Sequence, residues 1–389
     1  MNIIIFTDYY SPIIKSGAII IEDLAVELTS QGHKVTIVTF ADNQKSNFED
    51  FFENNIRIIR LKVAIRKYGK LGRLWAEYKY SNLIINNLMK IEHLTFDYII
   101  CYSPSIFYGK AVSWVKEKTH AKAYLIIRDI FPEWAVDAGI LKRGSLYKYF
   151  KFIETELYNA VDHIGIEANS DKTYFNKYFD LKKIEVLDNW SALLREKKID
   201  QHSNILNLDK INIVYGGNIG DAQDLLSLVM QIDHSILDDK ATLTIIGQGS
   251  QLSSIKRVIK ENNMRNIDVI PPVDRKEYLS IISNADIGLV SLNKNLSSHN
   301  YPLKMIGYMQ HALPVLASVN NENEIISLIN QKNFGLASSA DDIKTFNKNL
   351  LTLLSDKELR VSMGQNSRDI FNNRFSVKSA AEKIISHAK

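Results

Sequence analysis

The chain alternates short apolar runs with stretches of helical periodicity, and it does so in two successive series. That alternation dictates sheets connected by crossover helices. Asn2 to Thr7 is an apolar run of strand length. Ile19 to Ser30 then sets Ile20, Leu24 and Leu28 on one helical face, with Ile21 and Ala25 beside them. Gln31-Gly32-His33 stops this helix with a glycine where a left-handed cap is wanted, and Val35 to Phe40 is the next strand. Short connections between strand, helix and strand make a right-handed β-α-β unit, hence a parallel sheet.

Further strands are expected at Ile56–Leu61, Tyr98–Cys101, Ala123–Ile127, His163–Glu167 and Ile184–Leu187. Helices are expected at Leu71–Lys90, Phe107–Glu117, Ser145–Ala160 and Ser170–Phe179. Residues 193–210 are polar and poorly periodic and read as a linker. A second series follows. Its strands are Ile211–Tyr215, Ala241–Ile246, Ile267–Ile270, Ile287–Ser291 and Val315–Ala317. Its helices are Ala222–Ile232, Gln251–Glu261, Arg275–Ser283, one opening at Pro302, and Glu322–Leu328, with a mostly helical tail from Asp341. A length of 389 residues exceeds what one core usually organises. The expected fold is α/β: two facing doubly wound domains, 1–192 and 211–389, with a cleft between them and the last helix a candidate to pack back on the first.

Composition narrows the class. Cys101 is the only cysteine, so no intrachain disulfide forms and a reducing compartment is expected. Met1 leads straight into Ile3-Ile4-Ile5 without the basic start of a signal peptide, and no window holds the roughly 18 apolar residues of a span. A net charge of +4 gives no case for a nucleic-acid partner. The nine histidines lack ligand spacing and no D-x-D loop is present, so no metal is expected.

Glycine clusters follow several strands. Lys15-Ser16-Gly17-Ala18 opens a helix, where backbone N–H groups could meet a phosphate; an ordinary loop glycine fits equally. Tyr215-Gly216-Gly217-Asn218-Ile219-Gly220 permits a tight turn with exposed backbone donors, or simply a crowded strand-to-helix connection. Gly247-Gln248-Gly249 reads as a ligand-facing turn or a plain one. In Ser297-Ser298-His299-Asn300-Tyr301-Pro302-Leu303-Lys304, a polar loop runs into a helix whose first turn holds Lys304 beside free N–H groups and the positive dipole end. That geometry collects phosphate oxygens. Arg128-Asp129 at a strand's carboxyl end, beside Phe131 and Trp134, suits a sugar site, or is a surface pair of little weight. Between Arg57 and Lys79 stand eight basic residues against the acid Glu77, interleaved with aliphatic residues and Trp75. Lys142, Arg143, Lys148 and Lys151 lie beside Tyr147, Tyr149 and Phe150. Either group suits an anionic membrane surface or a solvated face.

The segment Ser297 to Met309, followed by Leu313-Pro314-Val315-Leu316-Ala317, resembles the donor-binding segment of retaining GT-B glycosyltransferases of family 4. There a P-x-K-x-x-E-Y-M-type helix precedes a P-V-[IL]-A strand. The resemblance spans nearly the whole chain and is strongest from Val214 to Ala317. G-N-x-G-x-A-Q-D-L after the glycine turn, with H-N-x-P-x-K, resembles bacterial O-antigen and capsule transferases of the N-acetyl-L-fucosamine type. Two departures stand out. The family's E-x7-E glutamates read His299 and Gly307, and its basic pair after the glycine turn reads Asp221-Ala222-Gln223-Asp224. Diphosphate charge then falls to Lys304, backbone N–H groups and Lys15 or Arg128.

The resemblance implies sugar transfer from a nucleotide diphosphate donor, expected to be UDP-linked, with retention and without a metal. The acceptor implied is a polyprenyl-diphosphate-linked saccharide in bacterial surface polysaccharide synthesis, reached from the cytoplasm at the inner face of the membrane. Asp129, His299 and Lys304 would serve catalysis. Gly17, Gly217, Asn218, Gly220, Gly247, Gly249, Asn300 and Lys304 would hold the donor, with Pro271-Pro272-Val273 near its base. Two rivals remain: a catalytically silent sugar-nucleotide-binding subunit, and a nucleotide-sugar 2-epimerase of the same architecture.

Overall fold

A computed structural model of the protein describes residues 1–13, 15–41, 46–63, 76–137, 139–176, 183–192, 205–296, 301–321 and 323–388. The chain divides into two units, Met1–Ala192 with Val377–Lys389, and Leu193–Ser376.

The first unit runs β1 (Asn2–Phe6), α1 (Ser16–Ser30), β2 (Lys34–Ala41), β3 (Phe48–Glu53), β4 (Ile56–Lys62), α2 (Tyr80–Leu88) and β5 (Tyr98–Tyr102). It continues with α3 (Gly109–Thr119), β6 (Lys122–Ile126), α4 (Glu133–Asp137), α5 (Ser145–Ala160), β7 (His163–Ile166), α6 (Lys172–Phe175) and β8 (Ile184–Val186). The sheet order is β3-β4-β2-β1-β5-β6-β7-β8, parallel except for β3. β1 pairs with β2 on one side and β5 on the other, which makes it the strand where the winding reverses. Both faces are covered, as all-parallel strands require. Ile3 and Ile5 belong to one buried cluster with Leu24 and Leu28 of α1, and Ile4 and Phe6 to another with Val112 and Val115 of α3.

The second unit runs β9 (Ile211–Asn218), α7 (Leu225–Gln231), β10 (Ala241–Gln248), α8 (Leu252–Glu261), β11 (Ile267–Ile270), α9 (Arg275–Ser283) and β12 (Ile287–Ser291). Then come α10 (Leu303–Gln310), β13 (Val315–Val319), α11 (Glu324–Lys332), β14 (Gly335–Ser339), α12 (Ile343–Ser355) and α13 (Lys357–Ile370). Its sheet order is β11-β10-β9-β12-β13-β14, so winding reverses between β9 and β12. The last helix, α14 (Val377–Ser386), belongs to the first unit. There Val377, Ala380, Ala381 and Ile384 join the cluster of Ile20, Ile21 and Leu24, and the Tyr98 hydroxyl donates to the Ile384 carbonyl at 2.8 Å.

The structure adds elements that periodicity did not single out. β3 pairs antiparallel with β4 through a turn at Asn54 and Asn55, both with positive φ (52° and 63°). β14 adds an edge beside β13. β9 extends to Asn218, and its helix starts three residues later than expected, at Leu225, after Asp224 takes φ +44°. Of the helices expected at Leu71–Lys90 and Ser170–Phe179, the parts at 71–75 and 177–179 lie outside the described residues, as does 193–204 of the expected linker.

Candidate functional site

In the second unit the expected phosphate-binding residues meet at the switch point, where ligands of doubly wound sheets lodge. β9 ends in Tyr215-Gly216-Gly217-Asn218, and α10 follows β12, the neighbour of β9. Pro302 precedes α10 with φ −63° and ψ 136°, an extended entry that turns the chain into the helix and places Lys304 in its first turn. Lys304 and Tyr308, four residues apart, share one helical face. The Tyr308 hydroxyl accepts from the Gly216 N–H at 3.0 Å, which fixes α10 against the end of β9.

The Lys304 ammonium stands 3.7 Å from the centre of the Tyr215 ring. Its Nζ is enclosed and has no hydrogen-bond partner among the described residues. Burial alone lowers its pKa to about 7, because the charged form loses hydration without gaining a counter-charge. The aromatic face returns part of that loss. A buried amine of this kind is complementary to an anion. Gly217, at φ +127°, borders it: a Cβ there would lie 3.5 Å from Lys304 Cε and 3.6 Å from Nζ.

The remaining turn glycines have a packing explanation. A Cβ on Gly247 would come within 1.9 Å of the Gly217 carbonyl oxygen, and one on Gly249 within 2.3 Å of the Ile219 oxygen. The loops after β9 and β10 are stitched together by Ile219 N–H to Gln248 O at 2.8 Å and Gln251 N–H to Ile219 O at 3.0 Å. Asn218 donates to Gln223 Oε1 at 2.7 Å, and Gly220 leaves room for that amide. The expectation that this turn opens directly onto a helix N-terminus is corrected, since α7 begins beyond Asp224. Gly307 lies in α10 with no neighbour among the described residues nearer to a Cβ than Ile282 Cδ1 at 4.0 Å. His299 and Asn300 lie outside the described residues.

In the first unit, Gly17 falls inside α1, where a Cβ would press on the Tyr102 ring at 3.1 Å. Lys15 is exposed, its Nζ 3.8 Å over the Tyr9 ring. Asp129 is exposed in the bend after β6. Arg128 does not offer its fork freely: Nη1 donates to the Leu187 carbonyl at 2.8 Å, Nη2 to that of Asp188 at 3.3 Å, and the guanidinium lies over Trp190. It clamps the exit of β8. Beside it is a group that sequence reasoning missed, Glu167 with Asn189. Glu167 is 6 % exposed, accepts from the Asn189 amide, and is pushed up to about 7 by burial, against the pull of Arg128. In the basic strip, Arg57 is held by Asp50 at 2.6 Å and Arg60 donates to the Ser11 carbonyl at 2.7 Å. Arg66, Lys67, Lys70 and Arg73 lie outside the described residues.

Comparison with known proteins bears on what these sites serve. Residues 196–370 match the sequence profile of the family described as "Glycosyl transferases group 1". The chain is 22% identical over 291 residues to "Probable glycosyltransferase WbjE" of Pseudomonas aeruginosa, covering 72% of this chain and 69% of that protein. Among solved structures, WaaG, a glycosyltransferase involved in lipopolysaccharide biosynthesis, superposes with TM-score 0.64 at 13% identity, over 99% of both chains. Anabaena HepE in complex with UDP gives 0.67 at 13% identity, again over 99% of both. These likenesses establish the GT-B fold.

Proposed function

We propose, from the premise that the chain is a glycosyltransferase with a group 1 domain on a GT-B fold, that it moves a sugar from a nucleotide diphosphate donor to a lipid-linked glycan. The observation that carries this reading is the enclosed Lys304 ammonium at the switch point of the second unit, which has no hydrogen-bond partner among the described residues. Charge accumulating on the departing diphosphate is the largest electrostatic demand of such a transfer, and a preorganised cation meets it. Backbone N–H groups of the turn after β9 add donors. The complex of HepE with UDP supports a uridine donor.

Retention follows the resemblance to family 4. The departing phosphate would take the acceptor's proton on the same face, with Asp129 contacting acceptor or donor sugar and His299 assisting the phosphate. Because Lys304 and backbone donors supply the positive charge, the reaction is expected to proceed without a divalent ion, and turnover in EDTA tests that. The likeness to WaaG, a glycosyltransferase involved in lipopolysaccharide biosynthesis, supports a role in surface polysaccharide. O-antigen or capsule as the product, and an N-acetylated 6-deoxyhexosamine such as L-FucNAc as the donor sugar, follow only from the resemblance of the G-N-x-G-x-A-Q-D-L and H-N-x-P-x-K segments to transferases of that type. The acceptor, a polyprenyl-diphosphate saccharide, would place the protein at the inner face of the cytoplasmic membrane. One observation favours a second reading, a silent binding subunit: Gly307 carries no side chain where the family has a ribose-binding glutamate.

Mass spectrometry of products formed from a panel of nucleotide sugars and a membrane lipid extract tests the proposal. A glycosylated lipid appearing with one donor supports it. Tight nucleotide binding with no product from any donor would favour the silent subunit.

A further inference from the structure

The segment Ile140 to Phe152 reads Ile-Leu-Lys-Arg-Gly-Ser-Leu-Tyr-Lys-Tyr-Phe-Lys-Phe, four basic residues and no acid. Folding sorts it. On the inner side of α5, Phe150, Ile153, Leu157 and Tyr158 are buried, and Lys151 pairs with the fully buried Glu154 and the Tyr174 hydroxyl. In the preceding turn and the first turns of α5, Ile140, Leu146, Tyr149 and Phe152 are 55 %, 52 %, 41 % and 67 % exposed. Lys142 and Lys148 are exposed among them, and Arg143, in an ion pair with Glu133 at 3.1 Å, keeps 63 % of its side chain in solvent. Glu156, one turn beyond Phe152, bounds this face.

Single exposed apolar residues are ordinary, but these four fall within thirteen residues of chain that also supply part of a small separate core. Ile106, Phe107, Phe150 and Ile153 make that core, with Phe131 and Leu141 packed against it. Rings continue outward from it: Tyr149 lies 5.7 Å from Phe150, and Tyr78, itself 47 % exposed, lies 6.4 Å from Phe107. Exposed aliphatic, aromatic and lysyl side chains, drawn from the turn before α5 and from its first two turns, give the mixed apolar and basic surface that lies in the headgroup boundary of an anionic bilayer. The basic residues at its rim favour an anionic surface over a neutral one, and the exposed apolar and aromatic side chains beside them favour a bilayer boundary over a fully hydrated acidic protein face.

We propose that this face of the first unit, Ile140 to Phe152, seats on an anionic lipid surface. Leu146, Tyr149 and Phe152 enter the headgroup boundary, and Lys142 and Lys148 sit against lipid phosphates. The assignment rests on the reading that the acceptor is lipid-linked, and it locates where the protein meets the lipid.

Flotation of the full chain with phosphatidylcholine vesicles, with and without about one third phosphatidylglycerol, tests it. Wild type is expected to float with the anionic vesicles and to release at about 1 M salt, where screening shortens to about 3 Å. Lys142→Gln with Lys148→Gln should weaken partitioning roughly 10- to 30-fold. Leu146→Ser with Phe152→Ser should weaken it roughly 10-fold or more even at low salt. UDP affinity, measured in parallel, should stay at the wild-type value in both variants, which reports that they fold. Variants that float like wild type would overturn the proposal, and so would a wild type that ignores anionic vesicles. Concentration-dependent self-association abolished by Phe152→Ser, with no vesicle binding, would overturn it in favour of a second copy on this face. Loss of UDP binding in Lys304→Met with flotation intact would leave the two readings separately judged.

Discussion

Lys304 Nζ lies 3.7 Å over the Tyr215 ring and makes no hydrogen bond among the described residues, although both residues come from elements packed at the centre of the second sheet. A folded protein seldom encloses an amine without a counter-charge, because the penalty is not recovered until an anion arrives. Replacing Lys304 by Met should therefore leave the melting temperature unchanged or higher. UDP affinity by calorimetry should fall by roughly 1.5–3 kcal/mol, on the order of 10- to 100-fold. Equal affinity in the two proteins would remove Lys304 from the donor site.

The same burial makes binding pH-dependent with a definite sign. Lys304 in the free protein sits at about 7, and a bound diphosphate raises it, so binding takes up a proton once the pH exceeds that value. Affinity for UDP should thus be greatest near neutrality and fall as pH rises from about 7 towards 9, approaching tenfold per pH unit. Calorimetry in buffers of differing ionisation enthalpy should register proton uptake at pH 8. Lys304→Met should abolish both effects. A flat profile above neutrality in wild type would show that this amine is already charged without ligand.

The alternation that made two doubly wound units legible survives in the structure, because strands such as β1 and β12 are apolar on both faces and need helices to cover them. The helix expected at Arg275–Ser283 has those bounds in the structure, where Asp274 caps it by accepting from the Glu277 N–H at 2.8 Å. β3 was not. Its sequence, Phe48-Glu-Asp-Phe-Phe-Glu53, is acidic and half-exposed, and only its pairing with β4 makes it a strand; the Asn54-Asn55 turn was the usable signal. In the site, Lys304 was readable from its place after Pro302. Tyr215 was not, because an aromatic before two glycines says nothing of what lies over its ring. Glu167 was hidden for a similar reason: its partner Asn189 is distant in sequence and meets it only across the sheet end.

Two glycines of the second unit should respond oppositely to alanine. At Gly247 a Cβ would collide with the Gly217 carbonyl oxygen at 1.9 Å, and that backbone is held by the stitched loops, so the strand ends must separate. Gly247→Ala should cost roughly 2 kcal/mol or more and weaken UDP binding with it. At Gly307 the space is open and the residue sits within α10, so Gly307→Ala should stabilise by about 0.5–1 kcal/mol. Urea unfolding of both variants checks the pair. Similar stability changes of the same sign would contradict the packing argument.

Glu167 should give stability of the first unit a pH dependence of its own. Burial disfavours its charged form, the carboxylates of Asp171 and Asp129 add to that, and the attraction of Arg128 and the Asn189 amide only partly offsets it. Its folded value is raised from 4.5 to about 7. A raised folded value means the native state binds the proton more tightly. The associated stability is full below about pH 4.5 and is lost as pH rises through about 7, on the order of 3 kcal/mol at most. Glu167→Gln keeps the size and a hydrogen-bonding end without the titration. Its unfolding free energy should change less between pH 5 and pH 8 than that of wild type, so that the variant gains relative stability at pH 8. Urea titrations at the two pH values measure this directly. If the wild-type and variant differences are parallel, Glu167 is already ionised in the native protein, and the balance of burial against Arg128 runs the other way.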